Sequence, residues 1–381
     1  MMKNNIKVVL LGNYPSINGN PGGTAAVTYL LASGLKKYTS VDVEVITLTK
    51  KNNYIPMPIP GVFIHVVKSS KLPQTLTTII DRQMILRVLN NIPFDLIHVQ
   101  GQDVYAWAAL SLKKPKLLTI HGLFKKEIAL LKGIKRVPVS MVLAFLENFA
   151  LSNTNDIVCC SQYVESEMRL LTKAKFHYIE NPVSDDYFKL VRAEIKPILL
   201  YVGGIRYRKG IINLLEAMKE IEKIIPDIKL HIVGSASDKN YEIKVKKYVI
   251  NHDLSERVEF LGHISEKNLL KEYSQAFALI LPSLEETAPV SITQAMASGL
   301  PVLASKVGGI PFMVDDGKTG FLFDPHSPEQ IVEAVRKIFS CSVNYNNLGS
   351  IAKLDAMNRF GLQIVSEKTS DLYNLLLDEQ N

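Results

Sequence analysis

Leu281-Pro-Ser-Leu-Glu-Glu-Thr-Ala-Pro-Val-Ser-Ile-Thr-Gln-Ala-Met-Ala-Ser-Gly-Leu-Pro-Val-Leu-Ala-Ser305 begins where an apolar run, 277–281, is stopped by Pro282. A polar loop with Glu285 and Glu286 follows, a helix is expected from about Val290, and a second apolar run, 302–304, comes after the turn at Gly299. Continuous rather than alternating apolar strands, separated by helices, are those of a parallel sheet covered on both faces. The same rhythm extends upstream through 258–261, 241–249, 229–233, 209–223 and 198–202. A polar stretch, 181–196, interrupts it, and before that come 6–12 with 24–37, 95–99 with 104–112, 116–120 with 139–151, and 157–160 with 162–171. The expected fold is α/β: two doubly wound halves, residues 1–190 and 191–360, with ligands at the carboxyl ends of their strands and a cleft enclosed where the halves face each other. Residues 361–381 add a helical segment that could pack back on the first half.

The chain has 381 residues, 47% hydrophobic and 21% charged. At roughly 150 residues per domain this is enough for two cores, and it excludes long disorder. Three cysteines, two of them adjacent at Cys159 and Cys160, offer neither a disulfide framework nor a zinc knuckle, which fits a reducing compartment. The N-terminal apolar run is too brief for a signal peptide, and the most apolar stretch, 137–146, falls well short of the roughly 20 residues that cross a bilayer. A cytoplasmic location is expected. Net charge is +7, yet residues 1–190 hold 22 basic against 13 acidic side chains and residues 191–381 hold 22 against 24. The basicity therefore belongs to the first half, as an anionic acceptor or a membrane surface requires.

Helix amides near Val290, at the end of an apolar strand, make an anion site with a carboxylate beside it. That carboxylate repels a phosphate unless it contacts sugar hydroxyls or a developing cation, which suggests a sugar phosphate; solvated loop glutamates before an ordinary helix fit the same residues. Leu199-Leu-Tyr-Val-Gly-Gly-Ile-Arg-Tyr-Arg-Lys-Gly210 runs a strand into a glycine turn with three cations. Close approach at Gly203 and Gly204 with Lys209 at a helix start suits a diphosphate, whose charge rises as it departs. In the first half, Gly22, Gly23 and Thr24 lie between a strand and a helix, where glycines admit a ligand to the backbone. They form no GxGxxG fingerprint, so no redox cofactor is expected. His98 and His121 end two strands, where cleft residues belong.

The frame Glu286, seven residues, then Gln294-Ala-Met-Ala-Ser-Gly-Leu-Pro-Val302 resembles the C-terminal signature of retaining GT-B glycosyltransferases of the family four type, built from two Rossmann-like domains. The resemblance spans nearly the whole chain and implies roles. Glu286 would meet the donor sugar and position 294 the ribose hydroxyls, where Gln294 replaces the usual glutamate. Lys209 would contact the donor diphosphate. The arginine usual at position 204 is Gly204 here, which makes Arg206 its candidate replacement and Arg208, expected to point to solvent, the weaker one. Gly308 and Gly309, in a Gly-Gly-Ile-Pro loop, would offer backbone amides, although Phe312 stands where glutamate is frequent. His121, in Thr-x-His-Gly, would line the reaction centre, whereas His98 reads as structural.

The implied activity is a retaining, metal-independent transfer of a sugar from a nucleotide diphospho-sugar to a saccharide or lipid-linked acceptor, in surface polysaccharide or glycolipid synthesis. Two other readings are a nucleotide-sugar epimerase of the same architecture and a catalytically impaired nucleotide-sugar-binding protein. No metal is expected, since Asp185-Asp186 and Asp315-Asp316 are adjacent pairs in turns, and no nucleic acid, since no RNP, KH or zinc signature exists. Within 124–136, Phe124, Ile128 and Leu131 share one helical face and Lys125, Lys132 and Arg136 another. That is the pattern of a helix lying peripherally on an anionic inner leaflet, and a solvated core helix fits the same residues.

Overall fold

The computed structural model describes residues 5–17, 23–70, 74–130, 136–236, 238–340 and 345–379. The chain forms two compact units, Met1–Pro182 with Phe360–Asn381, and Val183–Arg359. The break precedes residue 190 because the helix Asp185–Lys189, capped by Ser184, belongs to the second unit. Its Tyr187 is buried edge-on against Tyr273, with ring centroids 5.4 Å apart, and donates to Glu266 Oε1 at 2.6 Å.

The first unit carries seven parallel strands: β1 (Lys7–Leu11), β2 (Asp42–Thr49), β3 (Phe63–Lys68), β4 (Leu96–Gln100), β5 (Lys116–Ile120), β6 (Asp156–Cys159) and β7 (Lys175–Tyr178). Their order is β3-β2-β1-β4-β5-β6-β7. The second unit carries six parallel strands: β8 (Ile198–Val202), β9 (Lys229–Val233), β10 (Val258–Gly262), β11 (Ala278–Leu281), β12 (Val302–Ser305) and β13 (Gly320–Phe323), in the order β10-β9-β8-β11-β12-β13. Each order turns back on itself once, between β1 and β4 and between β8 and β11. Those are the points where connections leave a sheet in opposite directions and open a crevice at the carboxyl ends. The inner strands β4, β6, β11 and β12 are buried along their whole length, which is why they read as unbroken apolar runs.

The C-terminal helix Leu362–Asp378 belongs to the first unit. Val365, Leu372, Tyr373 and Leu376 enter the core cluster with Leu10, Leu31, Leu35 and Val43. Each such apolar side chain contributes about 1.5–3 kcal/mol on burial. The helix lies so close to Gly23–Tyr38 that a Cβ on Gly34 would come within 2.1 Å of Ser366 Oγ. Glycine is therefore required there by contact.

Of the 124–136 segment, Phe124–Leu130 forms a helix with no buried residue, and a helix runs from Arg136 to Ser152. Leu131, Lys132, Gly133 and Lys135 lie outside the described residues. Lys126 is paired with Glu167 at 3.1 Å, so this cation is turned to the protein's own acid. Among the described residues, no helix is long and apolar enough to cross a membrane.

Candidate functional site

Two carboxyl ends meet at the β8/β11 switch point. From β8 the chain passes Gly203 and Gly204 into a 3-10 turn, Tyr207–Lys209, and then through Gly210 into the helix Ile211–Ile224. Gly210 has φ 65°, and a Cβ on it would come within 2.0 Å of the Pro282 carbonyl oxygen. Only glycine permits both the left-handed turn and this approach of the β11 loop. The contact is fixed by the Leu284 N–H, which donates to Arg208 O at 2.7 Å.

The result is a charge cluster around Glu286, whose residue is 5% exposed. Lys209 Nζ is paired with Glu286 Oε1, and Ser283 Oγ donates to the same oxygen at 2.8 Å. Arg208 Nη1 reaches Oε2 at 3.2 Å and donates to the Glu285 carbonyl oxygen at 2.7 Å. Glu286 is thus not a solvated loop carboxylate. Burial pushes its pKa up, but Lys209 and Arg208, with the Lys209 and Ser283 hydrogen bonds, outweigh burial and hold it below the ordinary value. One carboxylate cannot neutralise several cations, so a positive surplus remains. Burial above all, helped by Arg208 and Arg206, lowers the Lys209 pKa despite the opposing pull of Glu286.

The expected orientation of Arg208 is corrected. Arg208 does not point to solvent; the β11 loop folds over it and supplies its acceptors. Arg206 is the exposed one, and its guanidinium lies across Gly204, 3.2 Å (Nη2) and 3.4 Å (Nε) from where a Cβ would stand. It therefore occupies space that a side chain at position 204 would fill. The Gly309 amide, expected to serve a ligand, is already used, as is that of Gly203. The Gly203 N–H donates to Val233 O at 2.9 Å, and the Gly309 N–H donates to Glu286 O at 2.8 Å, tying the 308–309 turn to the carboxylate's own backbone. Gly308 has φ 53°. The helix Val290–Ala297 begins after Pro289 with no side-chain cap on its amides. Gln294 accepts at Oε1 from the fully buried Tyr273 hydroxyl at 3.1 Å. The sequence marks neither: Ser283 is one polar residue of the same loop, three positions before Glu286, and Tyr273 reaches Gln294 across 21 positions that the fold brings together.

In the first unit Gly23 starts the helix Gly23–Tyr38 with φ 37°, and the Thr24 carbonyl oxygen accepts from Thr28 Oγ1 at 3.0 Å. Gly22 lies outside the described residues. His121 follows β5, and its Nε2 is 2.8 Å from Gln100 Oε1. His98, on β4, is fully enclosed and bonded to Tyr373, Thr119 and Gln100. Burial lowers His121 to about 4, and burial with the neighbouring His121 lowers His98 to about 3. Both are neutral when folded. Their contribution to stability is complete above the ordinary value of 6.5 and is lost as pH falls through the window from there toward about 4 and about 3. The loss is about 1.4 kcal/mol per histidine for each pH unit inside the window. Trp107, the single tryptophan, is in this unit. Its fluorescence should show a denaturant midpoint that drops between pH 7 and pH 5; an unmoved midpoint would mean that the histidines take up protons as readily in the folded chain as in the unfolded one. Among the described residues, no group of three or more His, Cys, Asp or Glu could hold a metal ion.

Two family models match the chain. That of the glycosyl transferases group 1 covers residues 184–355, and that of glycosyltransferase family 4 covers residues 21–187. An uncharacterized glycosyltransferase of Methanocaldococcus jannaschii is 24% identical over 89% of this chain and 90% of its own. Sucrose-phosphate synthase from Thermosynechococcus elongatus superposes with a TM-score of 0.83 at 21% identity, covering 98% of this chain and 100% of that one. Anabaena HepE, solved in complex with UDP-glucose, gives 0.76 at 16% identity, with 97% and 100% covered. Sheet order and comparisons agree on a GT-B glycosyltransferase. Residues 184–355 belong to the glycosyl transferases group 1 family and residues 21–187 to glycosyltransferase family 4.

Proposed function

We propose that the chain transfers a sugar with retention of configuration from a nucleotide diphospho-sugar held by the Val183–Arg359 unit. The observation that carries this reading is the Glu286 carboxylate, buried at the paired ends of β8 and β11 and outnumbered by the cations around it. A leaving diphosphate gains negative charge as the glycosidic bond to it breaks, and preorganised cations stabilise that charge more than they stabilise the ground state. Lys209 and Arg208 are placed to exchange part of their hold on Glu286 for phosphate oxygens, with Arg206 as a further cation and the amides from Val290 onward as dipolar donors. Glu286, released in part, would accept from sugar hydroxyls. A carboxylate bonded at both oxygens and held at low pKa is a poor nucleophile, which supports a same-face route in which the departing phosphate takes the acceptor's proton. Neutral His121 would contact a sugar hydroxyl in the reaction centre. The HepE complex supports a nucleotide sugar as the donor class, and the basic first half supports an anionic saccharide acceptor.

Incubation with labelled nucleotide sugars and a saccharide extract tests this. Label should move to acceptor with the anomeric configuration of the donor kept, as read by NMR coupling constants. Conversion of the donor to an epimer without transfer, or an inverted product, would overturn the reading.

Gln294→Glu probes the ribose contact. The carboxylate keeps the Tyr273 hydrogen bond and can accept two ribose hydroxyls, so nucleoside diphosphate binding should tighten by about 1 kcal/mol. Calorimetry showing weaker binding would mean that the amide suits this site better.

A further inference from the structure

The turn that carries His121 is bonded by two side chains from elsewhere in the first unit. Gln102, in the loop after β4, is 1% exposed. Its Nε2 donates to the Gly122 carbonyl oxygen at 2.7 Å and to Glu147 Oε1 at 3.3 Å. A carbonyl oxygen can only accept, so the amide nitrogen of Gln102 must face Gly122, and its second hydrogen is left for the carboxylate. Glu147, on the helix Arg136–Ser152 and 7% exposed, also accepts from the Phe124 N–H. One linked pair therefore holds the carbonyl before Leu123 and the amide after it. Burial raises the Glu147 pKa, and the Gln102 and Phe124 hydrogen bonds with the Lys125 charge oppose that rise without cancelling it.

We infer that Gln102 and Glu147 are positioning residues that hold the His121–Phe124 turn and thereby place the His121 ring for transfer. The inference rests on the role proposed above for His121. Side-chain contacts such as that of Nε2 with Gln100 orient the ring, whereas the turn sets where the ring starts. Apolar packing contributes less to this turn than to the strands around it. Leu123 is 3% exposed, but the helix that follows, Phe124–Leu130, has no buried residue. The Lys126–Glu167 pair on that helix is partly exposed, and such pairs are weak tethers. Hydrogen bonds to buried partners are then what fixes the backbone at residues 122 and 124, and a buried amide with well-placed acceptors defines a position more sharply than a surface contact does. The two side chains bond to each other as well as to the turn, so removing either should loosen both attachments. A reacting group displaced by about 1 Å can cost as much as 10² in rate.

The test joins hydrogen exchange of the full chain, read by mass spectrometry on millisecond pulses, to sugar-transfer kinetics. In Gln102→Met and in Glu147→Ala, peptides over 121–130 should exchange faster than in the parent while those over β5 stay as protected. Transfer should fall by about 10–10²-fold in each, with nucleoside diphosphate binding unchanged. Glu147→Gln, whose amide oxygen can still accept, should keep most of the activity. In a His121→Ala background, Gln102→Met should cost nothing further, because the two residues act through one ring. If the Glu147→Ala core does not hold, Gln102→Met reads the same link without removing a charge. Unchanged exchange over 121–130 in Gln102→Met would overturn the inference, as would a loss of transfer that is just as large in the His121→Ala background. Faster exchange with unchanged transfer would uphold the placement of the turn and remove His121 from the reaction, so the two claims fail separately.

Discussion

Lys209→Ala should lower turnover by about 10²–10³ while leaving the protein folded. In the proposed mechanism the ammonium faces the leaving diphosphate as it gains charge, so its loss should be felt most in the transition state. Folding survives because Glu286 keeps Arg208 and Ser283 as partners and because Lys209 sits in a turn whose backbone bonds do not depend on its side chain. The check is steady-state transfer alongside a thermal melt. Turnover within a factor of two or three of the parent would take Lys209 out of the mechanism.

Glu286→Ala should have the larger effect on stability, about 3–5 kcal/mol, because it removes the carboxylate shared by two largely buried cations. The asymmetry with Lys209→Ala is the informative part: one substitution leaves a carboxylate with a cation still on it, the other leaves cations without their shared acid. Nucleoside diphosphate should restore part of the lost stability, since an anion at the cluster replaces the missing charge and binds only the folded chain. Differential scanning calorimetry with and without nucleoside diphosphate would read this. A variant as stable as the parent would show that the cations have other partners in the fold.

The parts of the fold legible in sequence were those buried on both faces. β4, β6, β11 and β12 are enclosed throughout and read as apolar runs. β3 and β7 are sheet edges with exposed positions, and their mixed sequences gave no such run. The helix Gln74–Leu89 was hidden for a different reason: Leu76, Ile79 and Ile80 face outward, whereas Asp81 is buried and accepts from Ser69 Oγ at 2.7 Å. With Ile85 and Leu89 buried as well, its apolar residues lie on both faces, so periodicity cannot reveal it. At the candidate site, Glu286 and Lys209 could be read from spacing because each follows a strand directly. The place of Arg208 could not, since its acceptor lies 78 residues away and is brought near by Gly210. Tyr373 is 275 residues from His98, and nothing local marks it.

The central claim is that the Lys209–Glu286–Arg208 cluster holds the donor's diphosphate. Isothermal titration of uridine, guanosine, adenosine and thymidine diphosphates, each against its monophosphate, tests it most directly. For the nucleotide the chain accepts, the diphosphate should bind at least about tenfold more tightly than the monophosphate, a difference of about 1.4 kcal/mol, and Lys209→Ala should abolish most of that advantage. Equal binding of diphosphate and monophosphate by the parent, or an advantage that survives unchanged in Lys209→Ala, would contradict the account.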